Sequence, residues 1–162
     1  MTPPETYDVR VGAFDDIDPR TAYRLWQLRE SVFVVEQACP YAELDGRDLE
    51  PGTRHVWITE RSEPVAGEPV AGEPVARKPV AYLRVLDDGD QDRIGRVLVA
   101  REHRARGLAD ALMTQALRLV GDRPSCLDAQ TYLVHWYARL GYRPAGEEFV
   151  EDGIPHLPMR RP

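Results

Sequence analysis

The chain has 162 residues, 43% of them hydrophobic and 30% charged, and 27 acidic against 21 basic side chains give a formal net charge of −6. That length suits one domain with a core of its own, and the acidic balance argues against the counterion-displacing basic face of a nucleic-acid binder. No apolar run approaches the ~20 residues of a membrane span, the start MTPPETYDVR lacks the pattern of a secretory signal, and Cys39 and Cys126 stand far apart without ligand-spaced partners, so a reduced, metal-free cytoplasmic protein is expected.

Tyr7, Val9, Val11 and Ala13 alternate with polar residues as a strand does. Asp18 and Pro19 offer an N-cap and a proline at the first helical position. Ala22, Leu25, Trp26, Arg29, Val32 and Phe33 then recur at helical spacing, which predicts one amphipathic helix ending before Pro40. The acid- and turn-rich run 39–53 reads as an ordered loop, and Arg54 to Glu60 as a strand with β-branched Val56 and Ile58 about Trp57.

Glu-Pro-Val-Ala-Gly occupies 63–67 and again 68–72, followed by Glu-Pro-Val-Ala-Arg at 73–77 and Lys-Pro-Val-Ala-Tyr at 78–82. A proline every five residues blocks regular ladder pairing, and so short an array cannot stack as a solenoid. We read it as a linker over about 62–78, inserted by duplication into one hairpin of a single domain that covers residues 1–162. Its last copy runs into a strand over Tyr82 to Leu86.

Ile94 to Ala100 has the nearly continuous apolar run of a strand covered on both faces. A turn carrying Arg104, Arg106 and Gly107 follows, and Leu108, Leu112, Gln115 and Leu119 start a new helical stripe. Ser125 to Gln130 is a short strand. Leu133, Trp136, Tyr137 and Leu140 form a helix face stopped by Gly141, and the tail from Tyr142 to Met159 suits two short strands about a loop at 151–156.

The strand-to-helix junction at 104–109 carries the clearest chemistry. Free N–H groups at a helix start, the positive end of its dipole and two guanidinium groups make an anion site, and Gly107 admits close approach of a phosphate. No Gly-Lys-Ser/Thr follows, and one glycine stands where a dinucleotide fingerprint needs three.

Arg104-x-x-Gly107-x-Ala109 after an apolar strand resembles the Gln/Arg-x-x-Gly-x-Gly/Ala signature of the GCN5-related N-acetyltransferases (GNAT). Val32-Phe33-Val34-Val35-Glu36-Gln37, Cys39-Pro40-Tyr41, Asp45-Gly46-Arg47-Asp48, Ala129-Gln130, Trp136-Tyr137 ahead of Gly141-Tyr142, and Glu151 to His156 are similar to the ElaA-like branch of that superfamily. The repeat at 63–77 departs from the branch, and Ala109 stands where glycine is commoner.

The resemblance implies an α/β fold with a mixed, centrally splayed β-sheet of six to seven strands flanked by about four helices. It also implies acetyl-CoA as co-substrate and transfer of its acetyl group to the primary amine of a small-molecule or peptide acceptor. The backbone of Arg104, Ala105, Arg106, Gly107, Leu108 and Ala109 would hold the diphosphate. Val97, Leu98 and Val99 would pair with the pantetheine arm, and Gln130 joins the cofactor-binding set. Tyr137 falls where the family keeps its general acid. Glu36 is the expected base, its apolar surroundings raising its pKa. Asp45, His55, Asp152 and His156 are the candidates for holding the acceptor, the two histidines bordering the groove as alternative bases. Homodimers occur among such folds, and no residue here points to an interface. The alternative is a CoA-binding sensor or scaffold without turnover, since a fold does not guarantee activity.

Overall fold

The structure, a computed structural model, describes residues 4–61 and 77–162. The repeat copies at 63–76 lie outside the described residues, so the linker reading rests on sequence alone.

β1 (Tyr7–Gly12) is followed by α1 (Pro19–Arg29), whose first turn is capped by Asp18: its carboxylate accepts the N–H groups of Arg20 and Thr21. Beyond Arg29 the coil widens into a π-helical stretch, Glu30–Glu36, that closes with the Gln37 N–H on the Val32 carbonyl. The single helix expected to reach Pro40 is therefore an α-helix continued by a looser one. β2 (Arg54–Glu60), β3 (Pro79–Asp87) and β4 (Asp92–Val99) follow. After them come α2 (Leu108–Val120), β5 (Ser125–Gln130), α3 (Val134–Arg139), β6 (Arg143–Pro144), β7 (Phe149–Glu151) and β8 (Ile154–Arg161). Among the described residues no helix is long and apolar enough to cross a membrane.

All eight strands join one mixed sheet in the order β1-β2-β3-β4-β5-β8-β6, with β7 also on β8. The extra strand beyond the expected count comes from the tail, where β6 and β7 pair successive stretches of β8. Period-two alternation sends Val56, Ile58, Leu83 and Val85 to the face that packs on α2 and α3, while Trp57, Tyr82 and Leu98 pack on Leu25, Leu28 and Val32 of the first helical segment.

Two irregularities open the sheet. β4 and β5 are parallel but pair only at Asp92↔Ser125 and Arg93↔Cys126. Beyond Arg93 the β5-facing edge of β4 thus has no strand partner. On its other edge, β4 pairs with β3 at Arg84↔Gly95 and next at Tyr82↔Leu98, which leaves one extra residue on β4. This is a bulge, and Arg96 sits in it with φ +55°.

The 39–53 loop is moored to the sheet by a buried charge cluster. Arg29, with no exposed surface, donates through Nε to Glu43 at 2.9 Å and through Nη1 to Asp48 at 2.7 Å. Arg84 donates to Asp48 at 3.0 Å and, through both terminal nitrogens, to Asp45, while Arg96 donates to Glu43 at 2.8 Å. Burial alone would raise the Asp48 carboxyl, but Arg29 and Arg84 outweigh it and hold it below its usual range. The bond from Arg84 does the same to Asp45. A carboxyl depressed in the folded state contributes stability above its unfolded pKa of about 4 and loses it as pH falls further. Thermal melts are therefore expected to hold steady from pH 7 to about 5 and to drop in Tm below about pH 4. A Tm unchanged down to pH 3 would remove this cluster from the stability account.

Candidate active site

The splay between β4 and β5 opens a cavity of about 760 Å³. Its walls include Val97, Leu98 and Val99 on β4, Gln130 at the end of β5, Tyr137 on α3, Glu36 on the π-helical stretch, and Asp152 and His156 from the last hairpin. The structure thus brings most of the expected residues to one space.

At one end, a short 3-10 turn (Arg101–His103) leads to the start of α2. Ala105 and Gly107 both take left-handed backbone, φ +60° and +74°. Such alternation turns successive amides toward one point. Gly107 caps α2 without a side-chain hydrogen bond, and among the described residues no N–H of residues 105–110 finds an acceptor. The cradle expected for an anion is present as backbone. Its guanidinium groups diverge, however. Arg104 lines the cavity, whereas Arg106 does not; it donates to the Tyr7 hydroxyl at 3.0 Å and to the Glu102 carbonyl. The left-handed residue between the two arginines sends their side chains apart.

Glu36 occupies Arg104. Nη1 and Nη2 meet its two carboxylate oxygens at 2.6 and 2.9 Å, and Arg104 Nε donates to the Val99 carbonyl. The expectation of a raised pKa is reversed, since the bond to Arg104 holds the Glu36 carboxyl below its usual range. Glu36 also sits beside Val99 and Arg104, at the anion end and past the bulge, which is the wrong end for the expected base. His55 does not line the cavity. It is buried, with Nδ1 2.7 Å from the Tyr82 hydroxyl and Nε2 3.1 Å from the Asp48 carbonyl oxygen, and burial pushes its pKa down. Asp45 is likewise off the cavity wall, committed to Arg84 and Arg47. These two leave the acceptor-holding set for a structural reason: the loop folds inward onto arginines.

Tyr137 is 5% exposed, its ring edge-on to Trp136 and Tyr142. Its hydroxyl has no hydrogen-bond partner among the described residues. Burial pushes its pKa up from the usual phenol value, with the neighbouring Tyr142 adding to the effect. A phenol in that setting keeps its proton at neutral pH. Trp136 anchors the helix by donating from Nε1 to Asp110 on α2 at 2.8 Å.

Residues 73–161 match the acetyltransferase (GNAT) domain family. The chain belongs to the GNAT family. Escherichia coli ElaA is 38% identical over 86% of each chain, and a Mycobacterium tuberculosis UPF0039 protein is 45% identical over 91% of this chain and 88% of its own. A Pseudomonas aeruginosa acyl-CoA N-acyltransferase structure superimposes with a TM-score of 0.81 at 37% identity, over 96% of this chain and 99% of that one. The assignment is to the ElaA-like branch of GNAT proteins.

Two parts of this GNAT site were not foreseen. Arg96 places its guanidinium 6.0 Å over Phe33 and 5.6 Å over Tyr41, tying the bulge to the opposite wall. An isolated Gly95 inside an apolar strand was the available signal for that bulge. Cys39 is buried, with Sγ 3.6 Å from the Asp152 carbonyl, so the 39–53 loop and the last hairpin meet. Nothing in the spacing of residues 113 apart announces that contact.

Proposed function

We propose that the protein transfers the acetyl group of acetyl-CoA to a primary amine of a small-molecule or peptide acceptor, by direct attack within a ternary complex. The observation that carries this reading is the unpaired edge of β4. It bulges at Arg96 and runs on to the uncapped start of α2. One line of backbone donors thereby suits both an amide-bearing arm and a diphosphate. The designation of the Pseudomonas relative as an acyl-CoA N-acyltransferase supports the same donor class.

Acetyl-CoA supplies an acyl group already activated as a thioester. The chain's own residues do the rest. Amides of residues 105–110 hold the diphosphate, beside the Arg104–Glu36 pair. Donors of the β4 edge at 97–99 pair with the arm and stabilise negative charge developing on the carbonyl oxygen. Tyr137 donates its phenolic proton to the departing sulfur.

A thiol-release assay over polyamines, amino acids, aminoglycosides and peptides is expected to find amine-dependent turnover. The cradle has its own test. Gly107→Asp places a carboxylate beside the diphosphate, and a like-charge pair 4 Å apart costs about 4 kcal/mol near a protein surface. Calorimetry is expected to show acetyl-CoA affinity falling about 100-fold or more. Gly107→Asn meets the same left-handed backbone demand without the charge and should lose far less. Wild-type affinity in both variants would overturn the diphosphate assignment.

A further inference from the structure

We propose that His156 is the general base of this transfer, taking on Nε2 the proton that the acceptor ammonium must lose before it attacks. The inference rests on the acyl-transfer reading above and adds the residue that reading lacks, now that Glu36 is committed to Arg104.

The imidazole is set for one role. Nδ1 lies 2.8 Å from the Ile154 carbonyl oxygen. A carbonyl only accepts, so Nδ1 carries the proton and the neutral ring presents Nε2 as a lone pair. The ring is held nearly parallel to Phe149, 21° between planes at 5.6 Å. Among the described residues Nε2 has no partner, and His156 is half-buried on the cavity wall.

Position supports the role as well. His156 pairs across the sheet with Gln130. The β4–β5 register begins at Asp92↔Ser125; carried forward it brings the Arg96 bulge level with Ala129 and Gln130. His156 therefore stands one strand beyond the gap, at the level where β4 turns its edge outward. Ala129 and Leu157 beside the pair point to the core under α2 and α3. Gln130 and His156 alternate to the opposite face, the one that carries α1 and the 39–53 loop.

Three carboxylates of the cavity wall are engaged, while Glu151 and Asp152 lie exposed at the hairpin tip. Glu36 is bound by Arg104, Asp128 by Arg93 at 3.0 Å, and Asp110 by the Trp136 indole. His103 faces the Tyr7 hydroxyl at the anion end. The titratable groups that line the cavity with His156 also include Glu151 and Asp152 from the hairpin, Arg93 and Arg96 from β4, Arg84 from β3, Cys39 and Tyr41 from the facing loop, and Tyr132 and Tyr137 before and on α3.

The protons balance. Nε2 takes one proton from R–NH3+, the freed amine forms the C–N bond, and the C–S bond breaks. Tyr137 protonates the thiolate and is itself recharged by the proton the new amide nitrogen sheds. His156 then returns the first proton to solvent.

His156→Asn is the decisive variant, because its side-chain amide can still donate to the Ile154 carbonyl while offering no base. Turnover is expected to fall about 100-fold, with the Kd for acetyl-CoA kept. The acid limb of kcat/KM should move to higher pH, because the variant must draw on the small fraction of acceptor amine that is already neutral. Glu36→Gln should leave that limb in place. Nitrogen-15 NMR of the free protein should report His156 protonated on Nδ1. A wild type that binds acetyl-CoA but acetylates no amine would overturn the acyl-transfer reading and the base with it. An active wild type whose His156→Asn variant keeps its turnover and acid limb, or whose His156 is protonated on Nε2, would overturn the base alone.

Discussion

Arg29→Met is expected to destabilise the fold by about 3–5 kcal/mol, the range seen when one partner of a buried ion pair is removed. Arg29 has no exposed surface and bonds Glu43, Asp48, the Tyr82 hydroxyl at 3.3 Å and the Glu43 carbonyl. Without it, Arg84 and Arg96 face three carboxylates, from Glu43, Asp45 and Asp48, and one negative charge is left uncompensated below the surface. Methionine fills much of the volume, so the loss reports charge more than cavity. Urea denaturation measures it directly. Arg29→Met combined with Glu43→Gln should recover part of the loss, because the surplus carboxylate is gone. A loss under about 1 kcal/mol in the single variant would mean that the remaining arginines rearrange to absorb the charge.

Tyr137→Phe is expected to lower kcat by about 100- to 1,000-fold, in the span of general acid catalysis, while the Kd for acetyl-CoA stays within about twofold. The affected atom is a single hydroxyl that bonds to nothing else among the described residues, so its removal disturbs no structural hydrogen bond. The ring contacts with Trp136 and Tyr142 remain, and the melting temperature should hold. Pre-steady-state measurement of thiol release separates this from slow product departure. Undiminished turnover would remove Tyr137 from the proton path and leave it as a core aromatic.

What could be read from the chain followed the reach of local signals. β2 and β5 have the expected ends, because β-branched and alternating residues declare themselves within a few positions. Gly107 and the turn before α2 were equally plain, since anion cradles are built from consecutive backbone. Arg29 was visible only as a misfit on an apolar stripe. Its partners come from a loop with no periodicity, and nothing in the sequence says which way that loop folds. The same blindness put Asp45 and His55 in the acceptor groove when they face arginines and a tyrosine beneath it. Helical spacing also continued past Arg29 without marking the change to wider turns. Ser31-Val32-Phe33-Val34-Val35 is rich in β-branched side chains that crowd a tight coil. His156 was placed in a loop, but it is in β8, and its tautomer depends on a carbonyl that only the folded hairpin supplies.

The sheet is joined across its middle by a seam two residue pairs long. On one side β1 to β4 bear α2 against their inner surface; on the other, β5 to β8 have α3 beside them, and the indole bond from Trp136 to Asp110 stitches the two helices. The hydrogen-bonded sheet is thus divided along a narrow spine, while one apolar core runs beneath both halves. A ligand lying along the gap would act as the missing strand and complete the backbone pairing between them. Occupancy and folding would then draw on a common reserve of free energy, so a cell rich in the donor molecule would also be the place where this chain best resists unfolding.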